Sequence, residues 1–98
     1  MTINKHSENG TLTLALEGRL DTTTAPQLEA ELKQALPSAD ELVLDLNDLV
    51  YISSAGLRVL LSAHKTMSKK GGMTVKNVSE LVQEVFDVTG FADILTIE

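Results

Sequence analysis

The sequence predicts an α/β fold: a mixed sheet of four to five strands, with about three main helices gathered mostly on one face. Three observations carry this. Asn9-Gly10 separates two strand-like runs, short apolar runs then alternate with helix-period segments, and helix start and stop residues stand at the joins. At 98 residues the chain has room for one core, so residues 1–98 are expected to form a single domain.

Residues 11–17 alternate cleanly, with Leu12, Leu14 and Leu16 on one face, which marks a half-buried strand. Asn9-Gly10 just before it is a strong hairpin signal, so residues 2–7 should pair with it antiparallel. Gly18-Arg19-Leu20-Asp21 then reads as the chain leaving the sheet. Thr24 as N-cap, Gln27 three residues on and Pro26 in the first turn start a helix, with Ala25, Leu28, Leu32, Ala35 and Leu36 as its apolar stripe. Pro37-Ser38 should end it.

Leu42-Val43-Leu44-Asp45-Leu46 is nearly continuous and too short for a helix, so it reads as a central strand buried on both faces. Asp48 falls in an expected turn. A helix over residues 54–70 follows, with Leu57, Leu60, Leu61, His64 and Met67 at helical spacing and Arg58, Ser62, Lys65 and Lys69 away from that stripe. Lys65, Lys69 and Lys70 complement the dipole of its last turns, and Gly71-Gly72 supplies the left-handed terminator. Residues 73–78 form the next strand. Ser79 caps a third helix whose Leu81, Val82, Val85 and Phe86 face the core, Gly90 stops it, and Phe91 and the Ile94-Leu95-Thr96-Ile97 tail pack back as a final strand or extended edge.

Fourteen acids against eight bases give a net charge of -6, which disfavours nucleic acid and anionic membranes as partners. A protein partner fits better. Aromatic residues make up only 3% of the chain and tryptophan is absent, so no stacking platform for bases is expected. There is no cysteine, no apolar leader and no run long enough to span a bilayer, which is consistent with a cytoplasmic protein. Neither His6 nor His64 has a zinc-type ligand partner, and no phosphate-binding glycine loop is present, so no metal or cofactor is expected.

Function, where the sequence shows it, lies in residues 51–61, where Ser53 and Ser54 stand between an apolar strand and an amphipathic helix. First-turn N–H groups there lack intrahelical partners, so a serine hydroxyl caps the helix and an added anion is tolerated. One cap needs only one serine. A nucleophilic serine needs a base within reach, and neither histidine is well placed, so no catalytic residue is assigned. Asp21, Asp45 and Asp48 could gather at one sheet end, a weak pattern given how often aspartate serves turns. The serine turn is better placed to receive phosphate, at about -1.5 to -2 charges, than to perform chemistry.

Gly18-Arg19-Leu20-Asp21, the strand at residues 42–46, Ile52-Ser53-Ser54-Ala55-Gly56-Leu57-Arg58-Val59-Leu60-Leu61 and Val85-Phe86-Asp87-Val88-Thr89-Gly90-Phe91 occur in this order. Together they resemble the STAS domain of bacterial anti-sigma factor antagonists, over essentially the whole chain. The resemblance implies a non-enzymatic partner switch. The unphosphorylated antagonist binds an anti-sigma factor that is a serine kinase, and so frees the sigma factor. Phosphorylation of a serine in this turn ends the complex, and a type 2C serine phosphatase restores it.

Many members have Asp-Ser-Ser-Gly-Leu in this turn with the second serine as acceptor. Aligned on Gly56-Leu57, that position holds Ala55; a Ser-Ser-Ala-Gly variant is also common in the family, and in it the serine before the alanine is the candidate, so the resemblance implies Ser54 as phosphoacceptor, with Ser53 as the alternative and the expected N-cap. The expected partner-binding set is Asp21, Thr22, Ser53, Ser54, Ala55, Gly56, Leu57, Arg58, Ser62 and Lys65. Free protein is expected to be monomeric. The rival reading keeps the fold without the switch: an unphosphorylated STAS scaffold subunit of a transporter ATPase or another assembly.

Overall fold

The computed structural model describes residues 1–98. Its five strands are β1 (Thr2–Glu8), β2 (Thr11–Leu20), β3 (Glu41–Ile52), β4 (Met73–Lys76) and β5 (Thr96–Ile97), and they lie side by side in chain order. The first pair is antiparallel and the rest are parallel. Helices α1 (Ala25–Ala35), α2 (Ser54–Met67) and α3 (Glu80–Thr89) form three of the connections.

The hairpin forms as its turn residues require: Asn9 and Gly10 both take positive φ, 52° and 84°, the twist of a two-residue turn that suits antiparallel strands. Leu12, Leu42 and Met73 align across the sheet, as do Leu14, Leu44 and Val75, and each is at most 3% exposed. Leu28 and Leu32 of α1, Leu57, Leu60 and Met67 of α2, and Val82 and Phe86 of α3 join them in one buried cluster. No residue of the opposite sheet face is buried. All three helices therefore serve one side of the sheet.

This corrects the reading of residues 42–46 as buried on both faces. Val43 and Asp45 alternate with the buried leucines and remain partly accessible, because no helix covers their side. β3 also runs on to Ile52, so Asp48 lies in a strand and not in a turn. Asn47-Asp48 interrupts the apolar pattern at a register shift, where Asp45 Oδ1 accepts from the Asn47 N–H at 3.0 Å. Past this register shift the buried positions, spaced by two at Leu42, Leu44 and Leu46, come at intervals of three, at Leu49 and Ile52.

Gly18-Arg19-Leu20 likewise stays in the sheet, contrary to the expectation that it leaves. Gly18 pairs with Leu49, Arg19 with Tyr51 and Leu20 with Ile52, after a shift that Gly18 permits by adopting φ +99°. Thr24 occupies the N-cap position of α1 but does not cap it with its side chain. Its hydroxyl donates to the Arg19 carbonyl at 2.8 Å and accepts from the Asp21 N–H at 2.8 Å, while the Asp21 carbonyl accepts from the Ala25 N–H at 2.8 Å.

α1 ends at Ala35 and tightens into a 3₁₀ turn over Leu36–Ser38. α2 stops at Met67, short of Lys70, and the left-handed residue after it is Gly72 at φ +94°. Lys70 serves another helix end: its Nζ donates to the Leu36 and Ala39 carbonyls at 2.7 and 3.0 Å. β4 ends at Lys76, since Asn77 turns to φ +57°. Ser79 caps α3 by accepting from the Val82 N–H at 3.3 Å, and Gly90 closes it at φ +82°.

On α3, Val82 and Phe86 are buried, but Leu81 is 53% exposed and Val85 only half-buried, which corrects the expectation that all four face the core. Half of this helix is apolar, and that arc is wider than the short strands beside it can cover. In the tail, Phe91 and Leu95 pack inward while Ile94 stays exposed. No helix is long and apolar enough to cross a membrane.

Candidate functional site

Parallel pairing of β2 and β3 brings their C-terminal ends together, and the two turns that leave them meet. The Ser53 N–H donates to the Leu20 carbonyl at 2.9 Å, which fixes the Leu20-Asp21 turn against the serine turn. Helix α2 begins at once. Ser53 is its N-cap in extended conformation, its hydroxyl accepting from the Gly56 N–H at 3.4 Å and its carbonyl from the Leu57 N–H at 2.9 Å. Ser54 is the first helical residue and is exposed, while Ser53 is half-buried. The two serines thus do different things: one closes the helix end and the other presents a hydroxyl to solvent.

Gly56 and Leu57 lie beneath this surface, both buried. A Cβ on Gly56 would stand 2.7 Å from Leu20 Cγ and 3.0 Å from Ile52 Cγ1, so only glycine lets the helix start sit this close to the strand ends. Leu57 anchors the first turn in the core at 4% exposure. Ala55 is half-buried beside Ser54. Ser54, Arg58, Ser62 and Lys65 are exposed and share one face of α2, as their helical spacing requires.

Thr22, Ala25, Pro26 and Glu29 on one side and Ala55, Arg58 and Val59 on the other line a cavity of about 320 Å³ next to the serine turn. A larger cleft of about 560 Å³ continues between α1 and α2, sharing Glu29 and Val59 and reaching Ser62 and Lys70. The surface beside Ser54 is therefore concave and runs along the helix pair.

Asp21 is held by its own turn. Its Oδ1 accepts from the Thr23 hydroxyl at 2.7 Å and from the N–H groups of Thr23 and Thr24 at 3.0 and 3.2 Å. The Thr23 hydroxyl above all, with these N–H groups and the Thr24 hydroxyl, holds the Asp21 carboxyl below the ordinary aspartate range, against a smaller opposing effect of desolvation. Thr22 is exposed at the apex of this turn.

Two residues of stretches that the sequence singles out, Arg19 and Tyr51, receive a role only from the structure. The Arg19 guanidinium lies 4.3 Å from the centre of the Tyr51 ring, and its Nε is 3.7 Å from Asp21 Oδ2. Arg19 and Tyr51 are paired across β2 and β3, so only the strand register, shifted twice by irregularities, reveals their contact. The alternation of Gly18-Arg19-Leu20 was the one available signal.

Neither histidine approaches the serines. His64 is ten residues along α2 from Ser54, about 15 Å at the helical rise, and His6 sits opposite Thr13 at the other end of β2. A serine hydrolase reading has no base. The three aspartates are likewise separate: Asp21 serves its turn, Asp45 Oδ1 accepts from Asn77 Nδ2 at 3.1 Å, and Asp48 accepts from Asn47 Nδ2 at 3.2 Å. No group of three or more potential metal ligands forms.

The family model described as "Mlab, STAS domain" matches residues 3–96. The chain is 38% identical over 91 residues to BtrV of Bordetella bronchiseptica, covering 91% of this chain and 78% of that protein. It is 34% identical over 94 residues to the anti-sigma-B factor antagonist of Bacillus subtilis, covering 95% of this chain and 85% of the relative. In three dimensions it is similar to the crystal structure of an anti-sigma factor antagonist from Mycobacterium paratuberculosis, with a TM-score of 0.88 at 24% identity over 98% of this chain and 83% of that one. The match along residues 3–96 and the five-stranded sheet with its three helices agree: the chain belongs to the STAS-domain family, among relatives named as anti-sigma factor antagonists.

Proposed function

We propose that this chain, a single STAS domain over residues 1–98, is a cytoplasmic anti-sigma factor antagonist that works by phosphorylation-controlled partner switching. The observation that carries the reading is the division of labour between the serines: Ser53 caps α2 and leaves Ser54 exposed at its first position. The unphosphorylated form binds an anti-sigma factor serine kinase. Its docking surface is the exposed Thr22 and Ser54 and the half-buried Ala55 of the turn, with Arg58, Ser62 and Lys65 along α2. Asp21, Ser53, Gly56 and Leu57 hold that surface in shape.

Phosphate on Ser54 adds about -1.5 to -2 charges at a helix start, where the dipole tolerates it and the fold persists. A partner seated on Ser54 meets that charge desolvated, and a few kcal/mol of repulsion is enough to release it. A type 2C serine phosphatase resets the switch. Ser53 is the weaker acceptor, because its hydroxyl is engaged with the Gly56 N–H.

Calorimetry of Ser54→Ala and Ser54→Asp against the cognate kinase tests this. The alanine form should bind constitutively and the aspartate form at least about tenfold more weakly, a difference of about 1.4 kcal/mol. Equal affinities would sink the mechanism.

A further inference from the structure

Helix α3 exposes an apolar stripe that the core covers only in part, at Val85. Leu81 is 53% and Val88 78% exposed, Val85 is half-buried between them, and the spacing of four and three residues puts them on one face. Glu80, Glu84 and Asp87 follow on the side of this stripe away from the buried Val82 and Phe86. None of the three is in an ion pair.

The charge here is one-sided. Residues 77–98 hold five of the fourteen acids, Glu80, Glu84, Asp87, Asp93 and Glu98, and none of the eight bases. They account for -5 of the net -6, and the remaining nine acids and eight bases nearly balance. An apolar strip edged by carboxylates free of ion pairs, Asp87 accepting only from the neutral Gln83 Nε2 at 3.0 Å, disfavours a second copy, which would set acid against acid, and an anionic membrane for the same reason.

We propose that this face of α3 is a second docking surface, and that its occupant is a basic amphipathic helix of another protein. Apolar side chains of that helix cover Leu81, Val85 and Val88, and its Lys or Arg residues line up with Glu80, Glu84 and Asp87. No residue of the stripe belongs to the serine turn. The surface therefore holds its partner in both phosphorylation states.

The test uses the full chain and a synthetic amphipathic helix of leucine and lysine, beside a leucine–glutamate helix of the same apolar pattern. Amide chemical-shift mapping should place the lysine peptide on α3, and Ser54→Asp should bind it equally well. Leu81→Ser with Val88→Ser should weaken binding at least about tenfold, from the loss of buried apolar area. Glu84→Lys with Asp87→Lys should reverse the preference between the two peptides. Unchanged binding by the Leu81→Ser/Val88→Ser variant, shifts centred away from α3, or self-association of the free chain through this face in sedimentation would each overturn the proposal.

Discussion

Replacing Gly56 by alanine tests how the serine turn is seated. The added Cβ would stand 2.7 Å from Leu20 Cγ and 3.0 Å from both Leu20 Cδ2 and Ile52 Cγ1. Carbon pairs prefer about 3.5–4.0 Å, so the overlap with Leu20 is roughly 1 Å. Leu20 and Ile52 are 0% and 2% exposed, and Cγ is a branch point, so relief requires moving a packed side chain or lifting the helix start. Such overpacking costs about 1–3 kcal/mol, and the better helix propensity of alanine returns at most about 1. The net expectation is a loss of about 1–2 kcal/mol, or a Tm lowered by about 5–15 °C in a domain of this size. Urea unfolding followed by circular dichroism should show a lower midpoint with an unchanged slope. In a Leu20→Ala background the same change should cost little, a coupling of at least about 1 kcal/mol. A Gly56→Ala protein as stable as its parent would refute the close-approach argument.

Asp21 makes stability depend on acid. Its carboxyl is held below the ordinary range in the folded chain, so its contribution is present above the unfolded aspartate pKa and disappears as pH falls through the folded value. Urea midpoints of Asp21→Asn and the parent should diverge above that range and converge in acid; parallel curves would remove Asp21 from the account. Ser79→Ala should lower stability by about 1 kcal/mol through loss of the α3 cap, read by the same unfolding assay. Lys70→Met should cost about 1–2 kcal/mol by releasing the Leu36 and Ala39 carbonyls, again measured by urea unfolding. A double-mutant cycle between Arg19→Ala and Tyr51→Leu should give a coupling of about 0.5–1 kcal/mol, and a value near zero would discount their stacking.

Local chemistry made most elements legible. Asn9-Gly10 announced the hairpin, Ser53 and Ser79 the helix starts, and Gly90 a helix end, because each acts through neighbours in the chain. Features that depend on what lies across the sheet were not legible. Asp48 looked like a turn residue, yet it is absorbed within a twelve-residue strand by a register shift that β2 shares. Val43 looked buried because a leucine-rich run carries no record of which sheet face the helices cover. Leu81 looked buried because periodicity gives the direction of an apolar arc but not the width its neighbours can bury. At the site itself the serine pair and Asp21 stood out in the sequence. The Arg19–Tyr51 contact, and the burial of Gly56 and Leu57 beneath the turn, needed the fold.

Whether Ser54 carries phosphate decides the proposed switch. Intact mass and site mapping of the protein taken from its native cell, with and without phosphatase treatment, answer it. The account predicts a phosphatase-sensitive gain of one phosphate on Ser54, with Ser53 unmodified. Absence of phosphate across several growth and stress conditions would contradict it, leaving Ser53 as a helix cap and the domain as an unswitched scaffold.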